Sequence, residues 1–351
     1  MKRLLRLSAV ATLAAATSVG IAATPADAAS TIVVGPGQSI QAAVDRAHSG
    51  DTILLKPGHY RQSILVKKDH LRIRGSGSGM AGTVIEPAAT PQGLCARNDS
   101  GICVVDPRGG GHTVSGVSID NILVRNFKSS GVIAFKTSGL YVSNVVARDN
   151  GEYGIARFGS SGGGLVNNVT TGSGEAGLYI GDSPHANAFV AGNDVSGNSL
   201  GIFYRHSQHA VIQFNTVHDN CIGIFAVSAP APVGSGQIRY NTVRNNNKLC
   251  KGNPEEIPFD YSGGGIVLVG TTGELVGDNA VLNNRGTSAF SGGIVLVSGA
   301  PFGGPASSGN TIQRNTAYRN APADIVDHSG GSNIFRHNFC SSSLPGGHCQ
   351  H

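Results

Sequence analysis

The chain has no tryptophan, only two methionines, and charged residues at just 13% of its 351 positions. So little charge leaves no Lys/Arg cluster of the kind that grips nucleic acid, and the formal net charge is only +5. Beyond the first 28 residues no apolar run approaches the ~20 residues that a bilayer span requires. The central repeat has no apolar stripe at helical spacing, which excludes a helical solenoid.

Glycine is abundant instead, at 51 residues, and much of it is periodic. Gly131-Val132-Ile133-Ala134-Phe135-Lys136 is followed by rows opening at Gly154, Gly177, Gly201 and Gly223, at steps of 23, 23, 24 and 22 residues. Each opening glycine precedes an aliphatic residue. A fixed period of this size, rich in β-branched and aromatic residues, is one turn of a coil made of short strands. Successive coils stack about 4.8 Å apart, so equivalent residues form columns. Asn121, Asn144, Asn167, Asn193, Asn215, Asn241, Asn279, Asn315 and Asn338 mark a second column. Asparagine tolerates left-handed backbone and can hydrogen-bond along a stack, and a repeated tight corner needs both.

The expected fold is therefore all-β: a single-domain parallel β-helix of about a dozen coils over residues 29–340, with a cysteine-pinned tail at 341–351. A short helix over Ser39–His48, capped by Ser39, is expected to cover its first coil. Strands are expected at Thr52–Lys56, Ser63–Val66, Leu71–Arg74 and Thr83–Ile85. Pro87–Gly111, Lys248–Ser262 and Ala300–Ser308 read as inserted loops. Residues 1–28 combine Lys2, Arg3 and Arg6 with an apolar run and Ala26-Asp27-Ala28, the pattern of a secretory signal peptide. The mature chain is expected to be secreted and monomeric. Its six cysteines admit 15 pairings. Short loops favour Cys95–Cys103 and Cys340–Cys349, and stacking of adjacent coils favours Cys221–Cys250.

Ser39-Ile40-Gln41-Ala42-Ala43-Val44, Gly50-Asp51-Thr52-Ile53-Leu54-Leu55 and Pro57-Gly58-His59-Tyr60 resemble the opening of right-handed parallel β-helix proteins of the pectin-lyase-like superfamily. The Asn-x-Val and Gly-Ile rows resemble its coils. This resemblance covers nearly all of Thr31 to Cys340 and implies a polysaccharide partner. It embraces lyases, mannuronate epimerases, glycosidases and non-catalytic repeat proteins alike. No counterpart of the pectate-lyase calcium aspartates is found, and Asp182-Ser183-Pro184-His185 only echoes the epimerase signature.

If the residue after each row glycine faces the core, the second and fourth positions face outward. Phe135, Phe158, Tyr179, Phe203 and Phe225 would then form an outer aromatic platform for sugar rings. A register shift of one would instead bury them. The fifth position reads Lys136, Gly159, Asp182, His206. Lyase and C5-epimerase chemistry both remove a proton beside a uronate carboxylate, which requires a neutralising cation and a base. Arg205 or Arg157 is a candidate cation, His206 or Tyr204 a base, Tyr179 a proton donor, and Asp182 an orienting carboxylate. Lys136, Phe203, Phe225, His185 and His209 are candidate substrate contacts. Glu152 and Glu175, one coil apart, are the pair that hydrolysis would need. The alternative to an enzyme is a glycan- or envelope-binding solenoid. No cofactor or clear metal-ligand set is expected; Glu152 and Glu175 could share a calcium ion, which requires more oxygen ligands than their column obviously supplies.

Overall fold

The computed structural model describes residues 29–108, 111–228, 231, 233–253 and 257–350. The expected signal peptide lies outside the described residues. Short strands pair in parallel into three long sheets. The first has 12 strands, from Thr31–Val34 to Ile334–Arg336. The second has 11, from Gly58–Arg61 to Phe339–Cys340. The third, also of 11, runs from Ile64–Val66 to Ser343–Leu344. Each coil visits the third, first and second sheets in turn, and like positions pair between coils, as in Ile155↔Leu178↔Ile202↔Ile224. The molecule is a parallel β-helix of about a dozen coils.

The core follows from strand alternation. Ile155, Leu178, Ile202 and Ile224 point inward to meet Leu165, Val190 and Ile212 of the first sheet and Val195 and Val217 of the second. All are fully buried, and each contributes roughly 1.5–3 kcal/mol of hydrophobic stabilisation.

Three corners close each coil. At the corner from first to second sheet, Asn121, Asn144, Asn167, Gly192, Phe214, Tyr240, Asp278, Arg314 and His337 all adopt left-handed backbone, with φ of 51–68°. The next residue points into the stack, and from Asn168 through Asn193, Asn215, Asn241, Asn279 and Asn315 to Asn338 it is asparagine. Each Oδ1 accepts from the amide of the preceding rung and, from Asn193 onward, from its side chain as well; Asn215 Oδ1, for example, lies 3.0 Å from Asn193 N and 2.8 Å from Nδ2. The single asparagine column expected above is thus two adjacent columns. Asn121, Asn144 and Asn167 occupy the left-handed position, and the later members form the ladder. Left-handed backbone and an amide ladder both select asparagine, so spacing alone merged them. A second ladder, Asn198–Asn220–Asn246–Asn284–Asn320, lines the corner from second to third sheet. The corner from third to first sheet stacks Ser160, Ser183 and Ser207.

The N-terminal helix spans Ile40–Arg46, with Ser39 Oγ accepting from Ala42 N at 3.1 Å and Ile40, Ala43 and Val44 in the core. Pro57-Gly58 leads directly into the strand Gly58–Arg61. Pro87–Gly111, expected as an inserted loop, is one only in part: it carries a short helix, Gly93–Arg97, and its Ile102–Val104 strand belongs to the third sheet. All three expected disulfides are present, Cys95–Cys103, Cys221–Cys250 and Cys340–Cys349. Among the described residues no helix is long and apolar enough to cross a membrane.

Candidate functional site

Phe135, Phe158, Gly181 and Arg205 are in register at the exit of the third sheet. The residues that follow them, Lys136, Gly159, Asp182 and His206, therefore stand in one column, with φ of 51°, 55°, 52° and 48°. Asp and His accept this conformation more readily than most residues. His206 Nδ1 lies 3.0 Å from Asp182 Oδ1. The imidazole is only 10% exposed and the carboxylate 55%, so the ring is braced and the acid is wet. Gly159 leaves a gap between Asp182 and the exposed Lys136.

Immediately before the corner, the Tyr179 hydroxyl lies across Gly181, where a Cβ would sit 2.1 Å from it. Arg205 of the next coil lies close enough to this hydroxyl to favour its ionised form. Burial holds the phenol well above its ordinary range; the charge of Asp182 adds to the shift and Arg205 opposes it. Tyr179 is therefore neutral at any working pH, and at 1% exposure it is shut beneath its neighbours. Glu175, immediately before the same strand, adds negative charge near the phenol.

The outer aromatic row exists. Phe135 stacks on Phe158 with centroids 4.9 Å apart, Phe158 meets Tyr179 at 4.6 Å, and Tyr179, Phe203 and Phe225 follow at 5.2 and 5.4 Å. Only its first members are accessible, with Phe135 38% exposed. Phe203 and Phe225, expected to contact substrate, lie in an apolar cluster with Ile257 and Tyr261 of the Lys248–Ser262 insertion and with Phe290. The Cys221–Cys250 disulfide fastens that insertion to the third sheet. Those two positions are corrected: the register is as expected, but an insertion covers them.

Arg157 and Tyr204 are likewise corrected. Each is the third residue after its row glycine, so strand alternation turns it inward, away from Asp182 and His206. Arg157 is fully buried with no hydrogen bond to its guanidinium among the described residues, and burial lowers its pKa to about 10. The Tyr204 hydroxyl accepts from Ala210 N at 3.4 Å inside the core. His185 and His209 are exposed beyond the corner. Glu152 and Glu175 do stack, with Glu175 N donating to Glu152 O at 2.8 Å, and Glu152 Oε2 accepts from Ser129 Oγ at 2.7 Å. Among the described residues no group of three His, Cys, Asp or Glu side chains is placed to hold a metal ion. Gly181 escaped sequence reasoning, although its place between Tyr179 and Asp182 in a β-rich row signals a close approach. Glu274, buried in the core with its pKa raised to about 8, gave no signal at all.

Residues 111–301, more than half of the chain, match the family described as right handed beta helix region. Comparison with curated proteins finds no match. Among solved structures, the A-module of the mannuronan C-5 epimerase AlgE4 of Azotobacter vinelandii is 18% identical, with a TM-score of 0.57 over 86% of this chain and 95% of that one. A mutant DFA-IIIase from Arthrobacter chlorophenolicus is 14% identical, with a TM-score of 0.59 over 82% and 74%. The periplasmic alginate epimerase AlgG, also as a mutant, is 13% identical, with a TM-score of 0.55 over 89% and 71%. At these identities the likeness is one of fold.

Proposed function

The chain belongs to the right-handed β-helix family, and from that premise we propose that it is a secreted protein acting on a uronate-type polysaccharide by lyase chemistry. The observation that carries this reading is the Asp182–His206 pair beside Arg205 on an exposed corner. Arg205 and Lys136 supply the positive charge that an α-proton beside a carboxylate requires before it can be removed. With Nδ1 held by Asp182, the His206 imidazole is the base that takes the C5 proton. The C5–H electrons form the C4=C5 double bond as the C4–O bond breaks, and the proton passes from His206 to the departing oxygen. One base serves both steps when proton and leaving group share a face. Epimerisation requires a second donor on the opposite face, and Tyr179 is shut beneath Arg205. Tyr179 is accordingly a positioning residue that holds Arg205. Phe135 and Phe158 offer ring edges and faces to neighbouring sugars. Three disulfides suit an oxidising compartment, and two structural neighbours are epimerases of mannuronan and alginate.

The test is turnover of alginate and polygalacturonate, followed by the absorbance of the unsaturated product. His206→Ala, Asp182→Asn and Arg205→Ala should each lose on the order of 10²–10⁴-fold with circular dichroism unchanged. Full turnover by His206→Ala sinks the assignment, and C5 inversion without unsaturation transfers it to epimerisation. The accessible Phe135–Phe158 stack favours a second reading, glycan binding without turnover. Its signature is affinity lost on Phe135→Ala in a protein that releases no product.

A further inference from the structure

The corner from first to second sheet carries a feature that neither the fold nor the Asp182–His206 centre explains. Gln213, Arg239, Gly277 and Gln313 are in register, so Phe214, Tyr240, Asp278 and Arg314 follow one another along four consecutive coils. Phe214 and Tyr240 both have left-handed backbone, φ 56° and 55°. For bulky side chains this is a genuine outlier. The same corner holds Asn121, Asn144, Asn167 and Gly192 in earlier coils, so the coil itself does not demand aromatics. Burial does not reward them either, since Phe214 is 58% and Tyr240 43% exposed. Their rings lie nearly parallel, 5.2 Å apart at 9°. Arg239 lies 4.8 Å from the Tyr240 ring centroid and donates to its hydroxyl at 2.8 Å and to Asp278 at 3.0 Å. Arg314 holds the same carboxylate through two bonds, at 2.8 and 3.0 Å.

We propose that this ridge is a second carbohydrate-binding site, which grips a pyranose chain by its C–H faces and hydroxyls at a distance from the Asp182–His206 centre. The inference rests on the reading that the substrate is a polysaccharide. Two aromatic rings beside guanidinium, carboxylate and phenol groups match the apolar faces and vicinal hydroxyls of sugars. Three coil steps span roughly 14 Å, the reach of a short run of sugar rings. The two rings together expose on the order of 200 Å², far below the ~800 Å² per partner of a stable protein interface. The surplus of guanidinium over carboxylate suits an acidic chain. A second grip raises the local concentration of polymer at the first site without touching the chemistry.

The test is electrophoresis of the full chain through gels containing alginate or polygalacturonate, for the parent and a Phe214→Asn/Tyr240→Asn double variant. Asparagine already serves at this corner, so the variant should fold, as melting curves will verify. The expected result is retardation of the parent and about tenfold or greater weakening in the variant, with turnover of a uronate tetrasaccharide unchanged. Asp182→Asn should show the reverse, with turnover lost and retardation kept. Retardation that depends on Phe214 and Tyr240 in a protein that turns over no uronide removes the lyase reading and leaves the ridge standing. The proposal is overturned if the parent is not retarded, if the double variant is retarded equally, or if the substitutions instead abolish concentration-dependent self-association in sedimentation.

Discussion

Glu274 should impose a steep pH dependence on the stability of the fold. It stands immediately before the Leu275–Gly277 strand, 1% exposed, with its oxygens 3.0 and 3.1 Å from where a Gly236 Cβ would lie. Neither oxygen makes a well-formed hydrogen bond among the described residues. Burial pushes the carboxyl from 4.5 to about 8, and the nearby Gly236 amide offsets only part of the shift. A carboxyl raised in the folded state keeps a proton that the unfolded chain releases. Its favourable contribution is therefore complete below pH 4.5 and is lost as pH rises to about 8. At ~1.36 kcal/mol per unit, the shift from 4.5 to about 8 corresponds to about 5 kcal/mol in all, most of it lost between about pH 5 and 8.5. Urea denaturation across this range should show the parent losing stability on the order of 4 kcal/mol more than Glu274→Gln, which keeps the shape and cannot ionise. At pH 5 the two should be nearly equal. Parallel pH profiles for the two proteins would falsify the reasoning. The variant also has a use in enzymology. Tyr204, in the same coil as His206, senses the Glu274 charge, so unfolding driven by Glu274 would otherwise imitate a catalytic ionisation.

Asn215→Ala removes the acceptor for Asn193 N and Nδ2 and the donor to Val190 O and Asn241 Oδ1. It should cost about 3–5 kcal/mol in urea melts, since buried groups lose their partners without gaining water; a loss below about 1 kcal/mol would mean the ladder is dispensable. Gly181→Ala places a methyl group on the Tyr179 hydroxyl and should displace the phenol and Arg205. Turnover is expected to fall about 100-fold with a stability loss of roughly 1–3 kcal/mol; unchanged kinetics would show that Arg205 needs no support from Tyr179.

The sequence by itself determined what depends on periodicity. Glycine steps of 22–24 residues specify coils, alternation specifies which residue enters the core, and the resulting columns brought Asp182 beside His206 and Cys221 beside Cys250. Each of these follows from counting along the chain, because parallel stacking turns a repeat distance into a spatial contact. Only the tertiary structure decided which members of a column meet solvent. Phe135 and Phe203 occupy one outer face, yet the second is sealed by residues from an insertion some fifty positions later, and no period encodes where an insertion folds back. Arg157 and Tyr204 carry chemistry suited to a site but lie at inward positions. Asn167 and Asn168 look interchangeable in sequence but serve left-handed backbone and amide ladder respectively. Accessibility and backbone conformation arise from packing between coils, and that packing is resolved only when all three sheets have closed.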